Sequence, residues 1–176
     1  SGVMGYNIFF VNPRDVERAV AKLPEVKAVR VNTTAPNHVT IDIDERKPEM
    51  TWLLGNEIYW VDLDGIGFRA RKNITELPMV RDLDQTPVKP GQGIKTDALA
   101  AFWAFRAASP DGPRAFEWSA ARGLQYTDER GWKIYLGDAD TMAGKVAQLR
   151  ALTAQLVAQN AHIKFIDLGM GDPYYQ

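Results

Sequence analysis

The sequence predicts an α+β protein in two units: a small module of one helix on a β ribbon over residues 1–48, then an antiparallel-sheet domain with two packed helices over 49–176. Three observations carry this. Apolar residues at helical spacing between Asn12 and Pro24 give way to strict alternation at Val39, Ile41 and Ile43. From Met50 onward, short alternating runs rich in aromatic residues recur between turns containing Gly and Asp. Two longer stretches, near 96–108 and 140–160, return to the helical period.

In the first unit, Asn12 stands where its side chain caps a helix that opens with Pro13 at the first position. Asp15 falls in the first turn, where a carboxylate favours the positive end of the helix dipole. Val16, Val20 and Leu23 recur at helical spacing until Pro24 ends the run, so the helix has one apolar face. After Pro24 the period drops to two. Val26, Ala28, Val29 and Val31 form a first strand, and residues 32–37 carry turn signals that include Pro36. Val39, Ile41 and Ile43 then alternate with Thr40, Asp42 and Asp44 in a second strand. A two-strand ribbon with one apolar face needs a cover, and the preceding helix is the nearest candidate. Ile8, Phe9, Phe10 and Val11 offer a bulky plug against the same helix or ribbon.

Pro48 closes the ribbon. Met50 to Leu54 reads as a strand, Gly55-Asn56 as a turn and Ile58 to Val61 as the partner strand; Asp64-Gly65 is a hairpin signal leading to Ile66-Gly67-Phe68. Residues 69–96 read as irregular, with a short strand at Leu77 to Val80 and a surface connection marked by Pro87, Pro90, Gly91 and Gly93. Thr96 or Asp97 is placed to cap a helix through about Ala108, whose face of Leu99, Phe102, Trp103 and Phe105 reads as core. Three alternating runs follow as an antiparallel meander: Phe116 with Trp118, Leu124 with Tyr126, and Trp132 with Ile134 and Leu136. A long amphipathic helix from about Asp140 to Asn160 sets Met142, Val146, Leu149, Leu152, Leu156 and Val157 against Lys145, Gln148, Arg150, Gln155 and Gln159. The last strand is Ile163 to Leu168.

Composition narrows the chemistry. Lys+Arg at 21 against Asp+Glu at 22 leaves a net charge of -1, which supplies no global field for nucleic acid or an anionic membrane. Arg69, Arg71 and Lys72 form the one tight basic group and read as a solvated strand end. With no cysteine the chain has no disulfide, thiolate metal site or cysteine nucleophile, and two histidines, His38 in the ribbon turn and His162 before the last strand, are too few for a histidine cage. The acid pairs Asp42/Asp44 and Asp62/Asp64 lie in strand and turn contexts, and Asp62-Leu63-Asp64-Gly65 lacks the ligands and closing glutamate of a calcium loop. No phosphate loop, nucleophile elbow or zinc-protease helix occurs. The expectation is a protein that is not an enzyme and holds no cofactor or metal. No run approaches the roughly 20 apolar residues of a membrane span.

Three segments in order carry a resemblance: Gly5-Tyr6-Asn7-Ile8-Phe9; Leu23-Pro24-Glu25-Val26 through Val31; and Ala35-Pro36-Asn37-His38 through Glu45-Arg46-Lys47-Pro48. Together they resemble the POTRA domain of the bacterial cell-division proteins FtsQ and DivIB, here lacking its first strand and helix. Further on, the Val61-Asp62 to Gly65 segment, Trp132 to Gly137, a lysine-bearing helix and Phe165-Ile166-Asp167-Leu168 resemble the extracytoplasmic β domain of the same family. One departure stands at Gly169, where family members commonly carry arginine.

The resemblance implies a non-enzymatic divisome scaffold, the extracytoplasmic part of a single-span bacterial membrane protein at the septum. Its membrane helix would lie upstream of this chain. It implies FtsB/DivIC-like and FtsL-like partners, met through a sheet edge near the end of the β domain. The expected partner-binding residues are Phe165, Ile166, Asp167, Leu168, Gly169 and Met170, with Tyr174 and Tyr175 added on position and on the enrichment of aromatics at interface hot spots. The alternatives are a POTRA-containing outer-membrane assembly or secretion component, and a structural envelope domain without a division role.

Overall fold

The computed structural model describes residues 12–36, 38–71, 76–169 and 173–176. The Ile8 to Val11 plug and the Gly5 to Phe9 segment therefore lie outside the described residues. Helix α1 spans Pro13–Val20, and Asn12 Oδ1 accepts the Arg14 N–H at 3.1 Å, the expected cap. Strands β1 (Val26–Thr34) and β2 (His38–Glu45) pair antiparallel, with Val31 opposite Ile41 and Val29 opposite Ile43. The turn is narrower than the sequence suggests. Asn32, Thr33 and Thr34 continue β1 by pairing with Thr40, Val39 and His38, so His38 opens β2 instead of lying in the turn.

The helix covers the ribbon only in part. None of its residues is fully buried, and in the ribbon Ile41 and Ile43 remain 39% and 49% exposed while Val26 and Val31 are buried. A polar tie adds to the packing: Glu17 Oε1 accepts the Val31 N–H at 2.9 Å, which satisfies a donor that β2 does not use.

Among the described residues the second unit is a nine-stranded sheet. In chain order it comprises β3 (Met50–Leu54), β4 (Glu57–Val61), β5 (Gly67–Arg69), β6 (Met79–Asp82), α2 (Thr96–Ala108), β7 (Ala115–Ser119), β8 (Gly123–Thr127), β9 (Lys133–Gly137), α3 (Met142–Ala158), β10 (Phe165–Asp167) and β11 (Tyr174–Tyr175). The spatial order is β11-β10-β9-β8-β7-β6-β3-β4-β5. Most neighbours are antiparallel, in keeping with the α+β class, but β3–β6, β6–β7 and β9–β10 are parallel. Two of these three follow from connectivity. In β6–α2–β7 and β9–α3–β10 the intervening helix carries the chain back to its starting end, so each following strand runs the same way as the one before. The short strand expected at Leu77 to Val80 is present as β6, two residues further on, and it lies inside the sheet between β7 and β3.

Both crossover helices pack on one face of the sheet and enclose the core. Phe116 meets Phe102 and Phe105 edge-on, with ring centroids 5.7 and 5.2 Å away, and Tyr126 completes the cluster 5.8 Å from Phe116. Fully burying a side chain of this size contributes about 1.5–3 kcal/mol, so these rings are a substantial part of the core's stabilisation. The helix starts differ from expectation. Neither Thr96 nor Asp97 caps α2; Lys95 takes the N-cap position without a capping bond and turns its Nζ to Asp84 Oδ2 at 2.9 Å. In α3, Lys145 is not on the solvent side as its charge suggested but 8% exposed, with Nζ 2.9 Å from Asp138 Oδ1, while Val157, expected to be buried, is 45% exposed.

Candidate functional site

The expected partner-binding residues fall on the last two strands of the sheet. Ile166 pairs with Ile134 across the parallel β9–β10 ladder and with Tyr175 across the antiparallel β10–β11 ladder. Strand β10 is therefore interior, and the outermost strand is β11. The sequence reading took the Phe165 to Leu168 strand as the terminal one; it missed that Tyr174 and Tyr175 pair with β10 and cover its outer main-chain groups.

This arrangement divides the expected set. Ile166 and Leu168 are buried at 0% and 2% exposure, in the same core as α2 and α3. They hold the strand in place and have no surface to offer a partner. Phe165 is half-buried, its ring edge-on to Tyr135 at 5.9 Å and tilted against Tyr174 at 5.7 Å. Tyr174 and Tyr175 are 58% and 45% exposed. Met170 lies outside the described residues.

The Asp167 carboxylate is occupied from two sides. Oδ2 accepts from Arg122 Nη1 at 3.0 Å, and Oδ1 accepts the Gly169 N–H at 2.9 Å. Arg122 comes from the turn between β7 and β8, and its guanidinium also stacks 5.0 Å from the Tyr135 ring centre. Sequence reasoning missed Arg122, because nothing in its local pattern marks it; only the sheet order brings it beside Asp167. Gly169 itself sits against Gly137, whose added Cβ would come within 2.8 Å of the Gly169 Cα, so backbone meets backbone at the end of β9.

Main-chain direction gives this edge its chemistry. Gln176 exchanges bonds with Phe165, its N–H reaching the Phe165 carbonyl at 3.4 Å and its carbonyl accepting the Phe165 N–H at 3.3 Å. Successive residues of a strand point their main-chain groups to opposite sides. The Tyr175 N–H and C=O consequently face away from β10, in the plane of the sheet.

Elsewhere, several charged groups are engaged with one another. Asp84 is held below its ordinary value by the Lys95 ammonium and the Ala120 N–H, and Asp138 likewise by Lys145. Arg69 pairs with Glu57 at 3.0 Å and Arg71 with Glu25 at 3.5 Å; Lys72 lies outside the described residues. Among the described residues no three acidic or histidine side chains converge on a point where a metal could bind.

A helix-and-ribbon unit joined to a mixed nine-stranded sheet, with helices on one face and an open outer strand, defines a two-unit α+β class of protein. Its family follows from sequence comparison. Residues 1–46 match the model of the POTRA domain, FtsQ-type, and residues 50–169 match that of the cell division protein FtsQ/DivIB, C-terminal. The chain is 30% identical over 171 residues to the cell division protein FtsQ of Chloroflexus aurantiacus, covering 92% of this chain and 61% of that relative. It is 28% identical over 178 residues to FtsQ of Myxococcus fulvus, covering 93% and 60%. With DivIB of Clostridium acetobutylicum it shares 27% identity over 88 residues, 50% of this chain and 35% of that relative. This chain belongs to the FtsQ/DivIB family of cell division proteins. It spans about 60% of the length of the two FtsQ relatives.

Proposed function

We propose that this chain is the extracytoplasmic portion of a single-span division protein and acts without catalysis. In this reading it is a scaffold that gathers FtsB/DivIC-type and FtsL-type partners at the septum, and a strand from one of them adds to β11. The observation that carries the reading is the outward-facing Tyr175 N–H and C=O on the last strand of the sheet, flanked by exposed Tyr174 and Tyr175 side chains. Main-chain bonds of an added strand supply affinity, and pockets between alternate side chains supply selectivity. The match to the FtsQ/DivIB model over 50–169 favours this over a secretion or outer-membrane assembly role.

The test is calorimetric titration of the chain with the extracytoplasmic segment of the FtsB/DivIC-type protein from the same genome. Tyr175→Pro removes the outward N–H but leaves the ladder to β10 intact, because that N–H takes no part in it. Saturable one-to-one binding is expected for the natural chain, with at least a tenfold loss for Tyr175→Pro at an unchanged melting temperature. Unaltered affinity in the folded variant would place the contact elsewhere. Ile166→Pro is a poorer probe, since Ile166 is fully buried and its loss unsettles the core.

A further inference from the structure

We propose that Arg46 and Asp62 form a latch that makes the ribbon unit and the nine-stranded sheet a single rigid body. Only residues 46–49 separate β2 from β3. A connection that short limits separation but not rotation, so something else must fix the angle. Arg46, just past β2, places Nη1 2.5 Å from Asp62 Oδ2, just past β4, with the two side chains only 17% and 6% exposed.

Each partner is itself pinned. Asp62 Oδ1 accepts the Ile66 N–H at 2.9 Å, which sets the carboxylate's direction through the β4–β5 turn. The Arg46 N–H donates to the Glu25 carbonyl at 2.8 Å, which ties Arg46 to the start of β1. Three further pairs cross the same seam, Arg46 itself to the exposed Asp64 at 3.6 Å, Lys27 to Asp64 at 3.1 Å and Arg71 to Glu25 at 3.5 Å, and Gly91 lies against Pro24.

A buried pair of this kind adds little net stability, because desolvation offsets attraction, but it tolerates one geometry and penalises others. The exposed pairs are weak and screened by salt. The buried pair therefore sets the angle. The ribbon is fixed at the β4–β5 end of the sheet, opposite β11, and strand spacing puts these ends about 40 Å apart.

The absence of cysteine allows clean paired spin labelling of the full chain. Labels at Thr40→Cys in the ribbon and Gln148→Cys on α3, both exposed positions, report the distance between units by double electron–electron resonance; Glu129→Cys with Gln148→Cys reports on the sheet domain alone. A narrow distribution is expected between units, at least doubled in width by Arg46→Met or by Asp62→Asn, which keeps an acceptor for Ile66. The control pair should stay narrow in every variant, which shows that the sheet domain remains folded. In 1 M NaCl, where exposed pairs are screened within about 3 Å, the natural chain should stay narrow. A broad distribution in the natural chain, no broadening in either variant, or release by salt alone would each overturn the latch.

Discussion

Lys145 lies in the first turn of α3 on the face that packs against the sheet, and its Nζ reaches back to the Asp138 carbonyl at 3.2 Å and carboxylate at 2.9 Å. This closes a helix start that has no side-chain cap and is preceded by Thr141 in the left-handed region. The aliphatic stem fills core space while the ammonium finds its partners at the rim. Lys145→Met keeps the stem and loses the bonds. Because the Asp138 side chain is 65% exposed, water takes over its solvation, and the cost is about 1 kcal/mol at neutral pH. The pH dependence has a definite sign. Lys145 lowers the Asp138 carboxyl from its ordinary 3.8, so the stabilisation is present above the unfolded value and is lost as pH falls through the lower folded one. Urea unfolding at pH 7, 4 and 3 should show the gap between natural chain and variant shrinking below about pH 4. A gap independent of pH would assign Lys145 a packing role alone.

At the scale of elements, the approach of β8, β9 and the end of β10 depends on glycines that let main chains touch. Gly137 combines φ of +75° with an approach that would bring an added Cβ within 2.8 Å of the Gly169 Cα. Gly131, in the β8–β9 turn, has φ of +87° and open space around its Cβ position. Both substitutions to alanine carry the left-handed cost of about 1–2 kcal/mol, and only Gly137→Ala adds an overpacking cost of about 1–3 kcal/mol. Thermal melting of the two variants should therefore separate the contact from the backbone effect, with Gly137→Ala the lower. Equal melting temperatures would mean that the main chain at Gly169 yields freely. Such contacts explain which elements were readable in advance. The Asn12 cap, the β3–β4 and β4–β5 hairpins and the three-strand meander rest on local signals and stand where the sequence put them. Strand β11 was missed because two tyrosines give no period, and they become a strand only by pairing with β10. Lys145 was misplaced because a charged residue reads as solvent-facing unless its partner, seven positions away, is known.

Over the whole molecule, burial is uneven between the two units. The parallel pairs that bring β6 into the centre of the sheet could not be read from strand signals alone, yet they are what gives the second unit a continuous core running from Met50 to Leu168. The ribbon has no comparable layer: α1 buries none of its residues fully, and Ile41 and Ile43, on the same face as buried Val31, stay partly exposed. Local opening costs least where few apolar contacts must be broken, so the ribbon should open without the sheet. Native-state hydrogen exchange tests this. The Thr51 and Met79 amides, bonded to the Pro78 and Arg114 carbonyls at 2.8 and 2.7 Å, should exchange only through global unfolding. Ribbon amides between Val29 and Val31 should exchange at least about tenfold faster, a difference of about 1.4 kcal/mol in opening free energy. This is compatible with a fixed angle between the units, because a latch that restrains orientation in the closed state does not prevent brief fraying of the strands it holds. Equal protection across both sets would instead make ribbon and sheet one cooperative unit, with the seam at Arg46 and Asp62 as strongly bound as the core.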